Sequence, residues 1–232
     1  MTIKKNKRFL WASIAGFLIL LIGGIGYMII TEPRTEIDKF RAILGSDVTA
    51  VNEHGMTLLH LAICNVGGNC EDDSWDIEVI KWLVAEGADV NAKTKHDATP
   101  LQDAIARQNM ELIEFLVSKG ADVNFIPRHG TWTPLHSAVS IANLEIVKFL
   151  ISAGANVNAA NASGYTPLHW TASLCWTASG LVPESDEAVA IAEFLVSQGA
   201  DVNAKNEDGK TPLDLANENG KTATAAFLSS VR

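Results

Sequence analysis

The stretch that decides the fold is TPLHSAVSIANLEIVKFLISAGANVN, residues 133–158. Thr133 suits a helix N-cap, where its hydroxyl oxygen satisfies a backbone N–H that the helix leaves unpaired. Pro134 suits the first helical position, where no backbone hydrogen bond is lost. Leu135 and the small Ala138 give this first helix an apolar side. Ile146, Val147, Phe149 and Leu150 recur at helical spacing as the inward stripe of a second helix, and Gly154 follows where a chain leaves a helix in the left-handed conformation. The stretch therefore predicts two short helices back to back. A pair this thin cannot bury both of its apolar faces, so it requires neighbours.

The neighbours are in the sequence. TLLH begins at Thr57, TPLQ at Thr99, TPLH again at Thr166 and TPLD at Thr211, so successive signatures are separated by 42, 34, 33 and 45 residues. The Gly-Ala turn recurs at Gly87, Gly120 and Gly199, each followed by Ala-Asp-Val-Asn. Ala62, Ala104, Ala172 and Ala216 repeat the small residue of the first helix, and Ile80, Trp82 and Leu83 repeat the stripe of the second.

This pattern resembles the ankyrin repeat, about 33 residues long with a T-P-L-H-x-A signature. The resemblance spans residues 37–232 and implies an all-α ankyrin-repeat solenoid of about four full repeats. Repeats are expected near 53–91, 94–124, 128–158 and 161–203. A half repeat over 37–52 is expected to close the N-terminal end. At the other end a unit near 206–232 acts as cap, its last helix made polar by Lys221, Thr222, Thr224, Ser229, Ser230 and Arg232. The signature His residues, His60, His136 and His169, are expected to join turns of adjacent repeats, as the family uses them. Leu58 for Pro, Gln102 and Asp214 for His, and Asp97 for the turn Gly depart from the pattern and are expected to cost local stability. The first and fourth repeats are nine and twelve residues over length. Both insertions, 63–76 and about 173–188, fall between the two helices of a repeat.

Ahead of the array, residues 9–30 are 22 positions, apolar or small except for Ser13. A helix of that length spans a ~30 Å hydrocarbon layer. No small-residue cleavage site follows, so the segment reads as an uncleaved transmembrane signal anchor, preceded by a basic tail (1–8) and followed by a short linker (31–36). Lys4, Lys5, Lys7 and Arg8 precede it, and no basic excess follows. The positive-inside rule then keeps the N-terminus cytoplasmic. The expected arrangement is a single-pass protein of the inner (plasma) membrane whose ankyrin domain is exported, to the periplasm in a bacterium.

The chain has 232 residues, 47% apolar and 19% charged, and carries 18 Lys+Arg against 27 Asp+Glu. With four of those bases in the first eight residues, the array is more acidic than the whole, which disfavours a nucleic-acid partner. Residues 204–211 satisfy a relaxed phosphate-loop pattern, but two acids occupy the loop and no buried strand precedes it. His54, His96 and His129 sit at or beside loop tips. Stacked helices are about 8–10 Å apart, whereas zinc ligands converge to about 2 Å from one ion, so successive tips cannot share a metal. Neither a metal nor another cofactor is expected, and no nucleophile–base set marks an enzyme. Cys64 and Cys70 bracket a short loop and are a candidate disulfide in an oxidising compartment.

What remains is recognition. The resemblance implies a monomeric array that binds a protein partner through its loop tips and first helices. By position it nominates His54, Met56, His96, Arg128, His129, Trp132, Ser163 and Tyr165. Trp75 and Trp176, one in each insertion, join them because long loops often carry function. An alternative is an inhibitor or immunity protein that occludes an exported toxin or hydrolase, setting acidic loops against a basic site.

Overall fold

The computed structural model describes residues 48–49, 51–64, 77–128, 132–173 and 185–232, with the backbone of 13–14, 17–18, 176–177 and 180–181. The chain divides into two compact units, Met1–Ser46 and Asp47–Arg232. In the first, strands β1 (Ser13–Ile14) and β2 (Phe17–Leu18) pair antiparallel, Ser13 opposite Leu18 and Ile14 opposite Phe17. At these four residues the structure differs from the helix expected over 9–30, and the remainder of that segment lies outside the described residues. A continuous apolar run does not by itself separate helix from strand. Among the described residues no helix is long and apolar enough to cross a membrane.

The second unit is a row of helix pairs: α1 (Leu58–Cys64) with α2 (Ile77–Ala85), α3 (Pro100–Ala106) with α4 (Met110–Ser118), α5 (Pro134–Ser140) with α6 (Leu144–Ser152), α7 (Pro167–Ala172) with α8 (Asp186–Ser197), and α9 (Pro212–Glu218) with α10 (Thr222–Ser230). The first helices pack on one another in sequence, α1–α3–α5–α7–α9. Ala62, Ala104, Ala138, Ala172 and Ala216 are buried in that row, and a methyl side chain lets neighbouring helices approach closely. Leu59, Leu101, Leu135, Leu168 and Leu213 of the same helices are buried as well. Each such leucine stabilises the stack by about 2 kcal/mol relative to exposure.

The second helices repeat one buried triplet: Val79, Ile80 and Leu83; Leu112, Ile113 and Leu116; Ile146, Val147 and Leu150; Ile191, Ala192 and Leu195. In α10 the same slots hold Thr224, Ala225 and Leu228. The polar C-terminal cap is thereby corrected in part: Thr224 and Lys221 are buried, and only Thr222, Ser229, Ser230 and Arg232 face water. Trp82 and Phe149 lie at the half-buried edge of their stripes, and the indole N–H of Trp82 donates to Glu86 at 3.0 Å. Both insertions fall between the helices of a pair, as expected. The second contains β3 (Trp176–Thr177) and β4 (Gly180–Leu181), an antiparallel hairpin and a small addition to the all-α expectation. Of the N-terminal half repeat, only Val48, Thr49, Val51 and Asn52 are among the described residues. Val48 is buried, and Val51 bridges to Thr57.

Candidate functional site

A five-residue turn built from local hydrogen bonds precedes α1, α3, α7 and α9. In the first, Asn52 N–H donates to the Met56 carbonyl, and Asn52 Oδ1 accepts from the N–H groups of His54 and Met56. Asn161 and Asn206 repeat the arrangement toward Tyr165 and Lys210, and Thr94 does so with its hydroxyl toward His96 and Ala98. The fourth position has positive φ: Gly55 at 74°, Gly164 at 75°, Gly209 at 74° and Asp97 at 60°. At two of these glycines the absent side chain also admits the next turn. A Cβ on Gly55 would stand 2.9 Å from the Lys95 nitrogen, and one on Gly164 would stand 2.9 Å from the Asn206 Cα. There the turns join directly, Lys95 N–H to the His54 carbonyl at 2.9 Å and Glu207 N–H to the Ser163 carbonyl at 3.1 Å.

Asp97 makes the same join differently. Its buried carboxylate accepts the Arg128 N–H at 2.9 Å and also receives Nε and Nη2 of the Arg128 guanidinium at 3.0–3.1 Å. These donors hold the Asp97 carboxyl below the usual carboxylate range. The residue that breaks the family pattern is therefore a clasp between the second and third turns.

The signature residues make a second set of joins. Nδ1 of His60, His136 and His169 accepts the N–H of Thr57, Thr133 and Thr166 respectively. That fixes the proton on Nε2, which donates to the next repeat, at Ala98 O (3.1 Å), Tyr165 O (2.9 Å) and Lys210 O (3.2 Å). Gln102 does both tasks with its amide: Oε1 accepts from Thr99 N–H and Nε2 donates to Trp132 O at 3.1 Å. The expected cost of this departure is thus absent from the bonding. Asp214 has acceptors only, and it accepts both the N–H and the hydroxyl of Thr211. Burial pushes the His136 imidazole down to about 4, and it lowers His169 as well, because a charged ring there would forfeit solvation.

A third set, absent from the sequence reading, comes from the Asn ending each Gly-Ala-x-Val-Asn turn. Asn91, Asn124 and Asn158 each donate Nδ2 to the carbonyl of the next repeat's glycine (Gly120, Gly154 and Gly199) at 2.9 Å. Each accepts at Oδ1 from the N–H of Asp122, Asn156 or Asp201 at 2.8 Å. Asn203 Oδ1 receives Nε of Arg232, which follows the second helix of the α9–α10 pair. The exact recurrence of Asn at this slot was the available signal.

On this framework the nominated residues separate. His54, His96, Arg128 and Ser163 are exposed on the turns, and Met56, Trp132 and Tyr165 are half-buried beside them. Trp132 rests on Trp170 of the next first helix with ring centroids 4.6 Å apart, and Tyr165 stands 5.9 Å from the same indole. The three rings form one partly exposed aromatic cluster across the third and fourth repeats. Trp170 lies at the centre of the cluster, against both other rings. Its Nε1 is shielded and finds no acceptor among the described residues. His129, Trp75 and Cys70 lie outside the described residues. Trp176 is placed as a strand residue by its backbone, and Cys64 ends α1. The insertions leave from the C-terminal ends of first helices, whereas the nominated turns precede their N-terminal ends. Lys210, which the phosphate-loop pattern would aim at a phosphate, instead pairs with Glu218 at 2.6 Å.

A family model described as ankyrin repeats (3 copies) matches residues 28–127, 70–161 and 126–186, together well over half of the chain. No curated protein matches the chain.

Proposed function

The chain belongs to the ankyrin-repeat family, and from that premise we propose that it is a non-catalytic array that binds a protein partner through its turns and first helices. The observation that carries this reading is the cluster of Trp132, Tyr165 and Trp170, aromatic surface left partly open on backbone locked by three sets of inter-repeat bonds. Rigid aromatic anchors bind at low entropic cost, which is why such residues dominate interface energetics. Crosslinking of the tagged full chain in its own cells tests it. A partner recovered with the native chain and lost with Trp132→Ala, at unchanged melting temperature, is the expected result. Equal recovery with the variant, or turnover of a small substrate by the purified chain, contradicts it.

Tethering to a membrane, with the array on the far side from the N-terminus, is the second part of the proposal. It is supported by the 22-residue apolar run and the bases Lys4, Lys5, Lys7 and Arg8 before it. A lipid layer satisfies no backbone group, so in lipid a helix is favoured over the open-edged hairpin of β1 and β2. Retention in the membrane pellet after alkaline extraction, with the array sensitive to protease only from the exported side, is expected. Release into the supernatant contradicts it.

A further inference from the structure

Charge is unevenly spread along the turns. The chain as a whole carries −9, and the turn of the first repeat and that of the last expose Glu53 and the pair Glu207 and Asp208. The second and third turns differ. Lys93 immediately precedes the second turn, Lys95 lies in it and Arg128 begins the third, while Asp97, the acid of the second turn, is buried and bonded to Arg128. Asp97 takes up Nε and Nη2 of that guanidinium, while the side chain remains 81% exposed and Nη1 has no partner among the described residues. Lys93 Nζ stands over the Phe125 ring at 4.3 Å. Lys95 is exposed, with no ion pair among the described residues. Ile126, two residues before Arg128, is 52% exposed, an apolar side chain outside the fold's core.

We propose that the surface carrying Lys93, Lys95, Ile126 and Arg128 is a docking surface for an acidic segment of a protein partner, with the three cations facing its carboxylates and Ile126 receiving an apolar side chain. The inference rests on the protein-binding reading and adds the chemistry of the partner. Arg128 is held in one orientation by the carboxylate beneath it, so little side-chain freedom is lost when it meets a second carboxylate. The negative charge elsewhere on the chain repels an acidic segment, so the local basic surface also sets where such a segment lands.

The probe is a labelled peptide of alternating Glu and Leu, with Gln-for-Glu and Lys-for-Glu versions, titrated against the full chain by fluorescence anisotropy. The acidic peptide is expected to bind tightest, and to weaken as salt rises through the range where exposed charges are screened. The double substitution Lys93→Glu, Lys95→Glu is expected to weaken it by about tenfold. Lys148→Glu with Lys205→Glu changes net charge equally at distant exposed positions, and a loss under about twofold is expected there. Equal losses in both variants reduce the effect to bulk charge and overturn the inference. So does tighter binding of the neutral or basic peptide, which leaves the protein-binding reading standing. Failure of all three peptides, together with failure of the Trp132-dependent crosslink above, removes both. Sedimentation of the chain alone completes the test: a dimer dissolved by Lys93→Glu, Lys95→Glu assigns the surface to a second copy and overturns the assignment to a partner.

Discussion

Turns joined at Gly55 and Gly164 and the turn joined at Asp97 solve one problem with opposite chemistry. At the glycines, one backbone carbonyl meets the next backbone N–H because no side chain stands between them. At Asp97 a side chain occupies the gap, and its carboxylate replaces the carbonyl as acceptor for the Arg128 N–H. The glycine joins depend on absent volume, and the aspartate join depends on charge. The two should fail under different insults, and the second leaves an oriented guanidinium on the surface that the first cannot supply.

The largest effect is expected where volume is decisive. Gly164→Ala forces a Cβ against the Asn206 and Glu207 backbone at 2.9–3.1 Å, in addition to holding alanine at φ 75°. A loss of about 2–4 kcal/mol in denaturant unfolding is expected. Gly209→Ala has the same φ class but nothing within 4 Å, so only the conformational cost of about 1–2 kcal/mol applies. Similar losses at the two sites would refute the close-approach argument.

Acid separates the joins next. His136 is neutral in the fold and titrates near 4, whereas an unfolded histidine titrates at its ordinary 6.5. Between those values the unfolded chain binds the extra proton, so stability is complete above pH 6.5 and falls as pH drops toward 4, by on the order of 3 kcal/mol from this residue. His169 shifts in the same direction. The Asp97 and Asp214 carboxyls, both lowered, add further loss below 3.8, their ordinary value. His136→Gln copies what Gln102 already does and should flatten the midpoint-versus-pH curve between 6.5 and 4. An unchanged slope would show that the buried ring is not the titrating group.

A smaller effect, specific to the charged join, is expected from Asp97. Asp97→Ala keeps the strained φ of 60° and loses the clasp, whereas Asp97→Gly loses the clasp but relieves the strain. The melting temperature should order as native, then glycine, then alanine. Glycine falling below alanine would mean that the strain argument is wrong. Gln102→His, which exchanges one two-ended hydrogen-bonding group for another, should change the midpoint least, by under about 0.5 kcal/mol.

Much of this architecture was legible in the chain. Thr99, Thr133 and Thr211 announce helix starts, Gly120 and Gly154 announce helix ends, and the 42- and 45-residue spacings locate both insertions, because capping and turn chemistry act over a few residues. Contacts between repeats were harder to read. Asp97 looked like a blemish because its partner, Arg128, is 31 residues away. Gln102 looked like a lost histidine because shared function between an amide and an imidazole shows only when both ends are bonded. Thr224 looked solvent-facing from its polarity, although its slot in the second-helix triplet is a buried one. At residues 9–30 uniform apolarity left no period to read.

The most direct test of the account is a photo-crosslinking amino acid placed at Ser163, exposed on the turn that leads into Tyr165, and at Glu193, exposed on α8. The account predicts that irradiation in cells yields a protein adduct from position 163 and none from position 193. Adducts from 193 alone, or equal yields from the two positions, would contradict it.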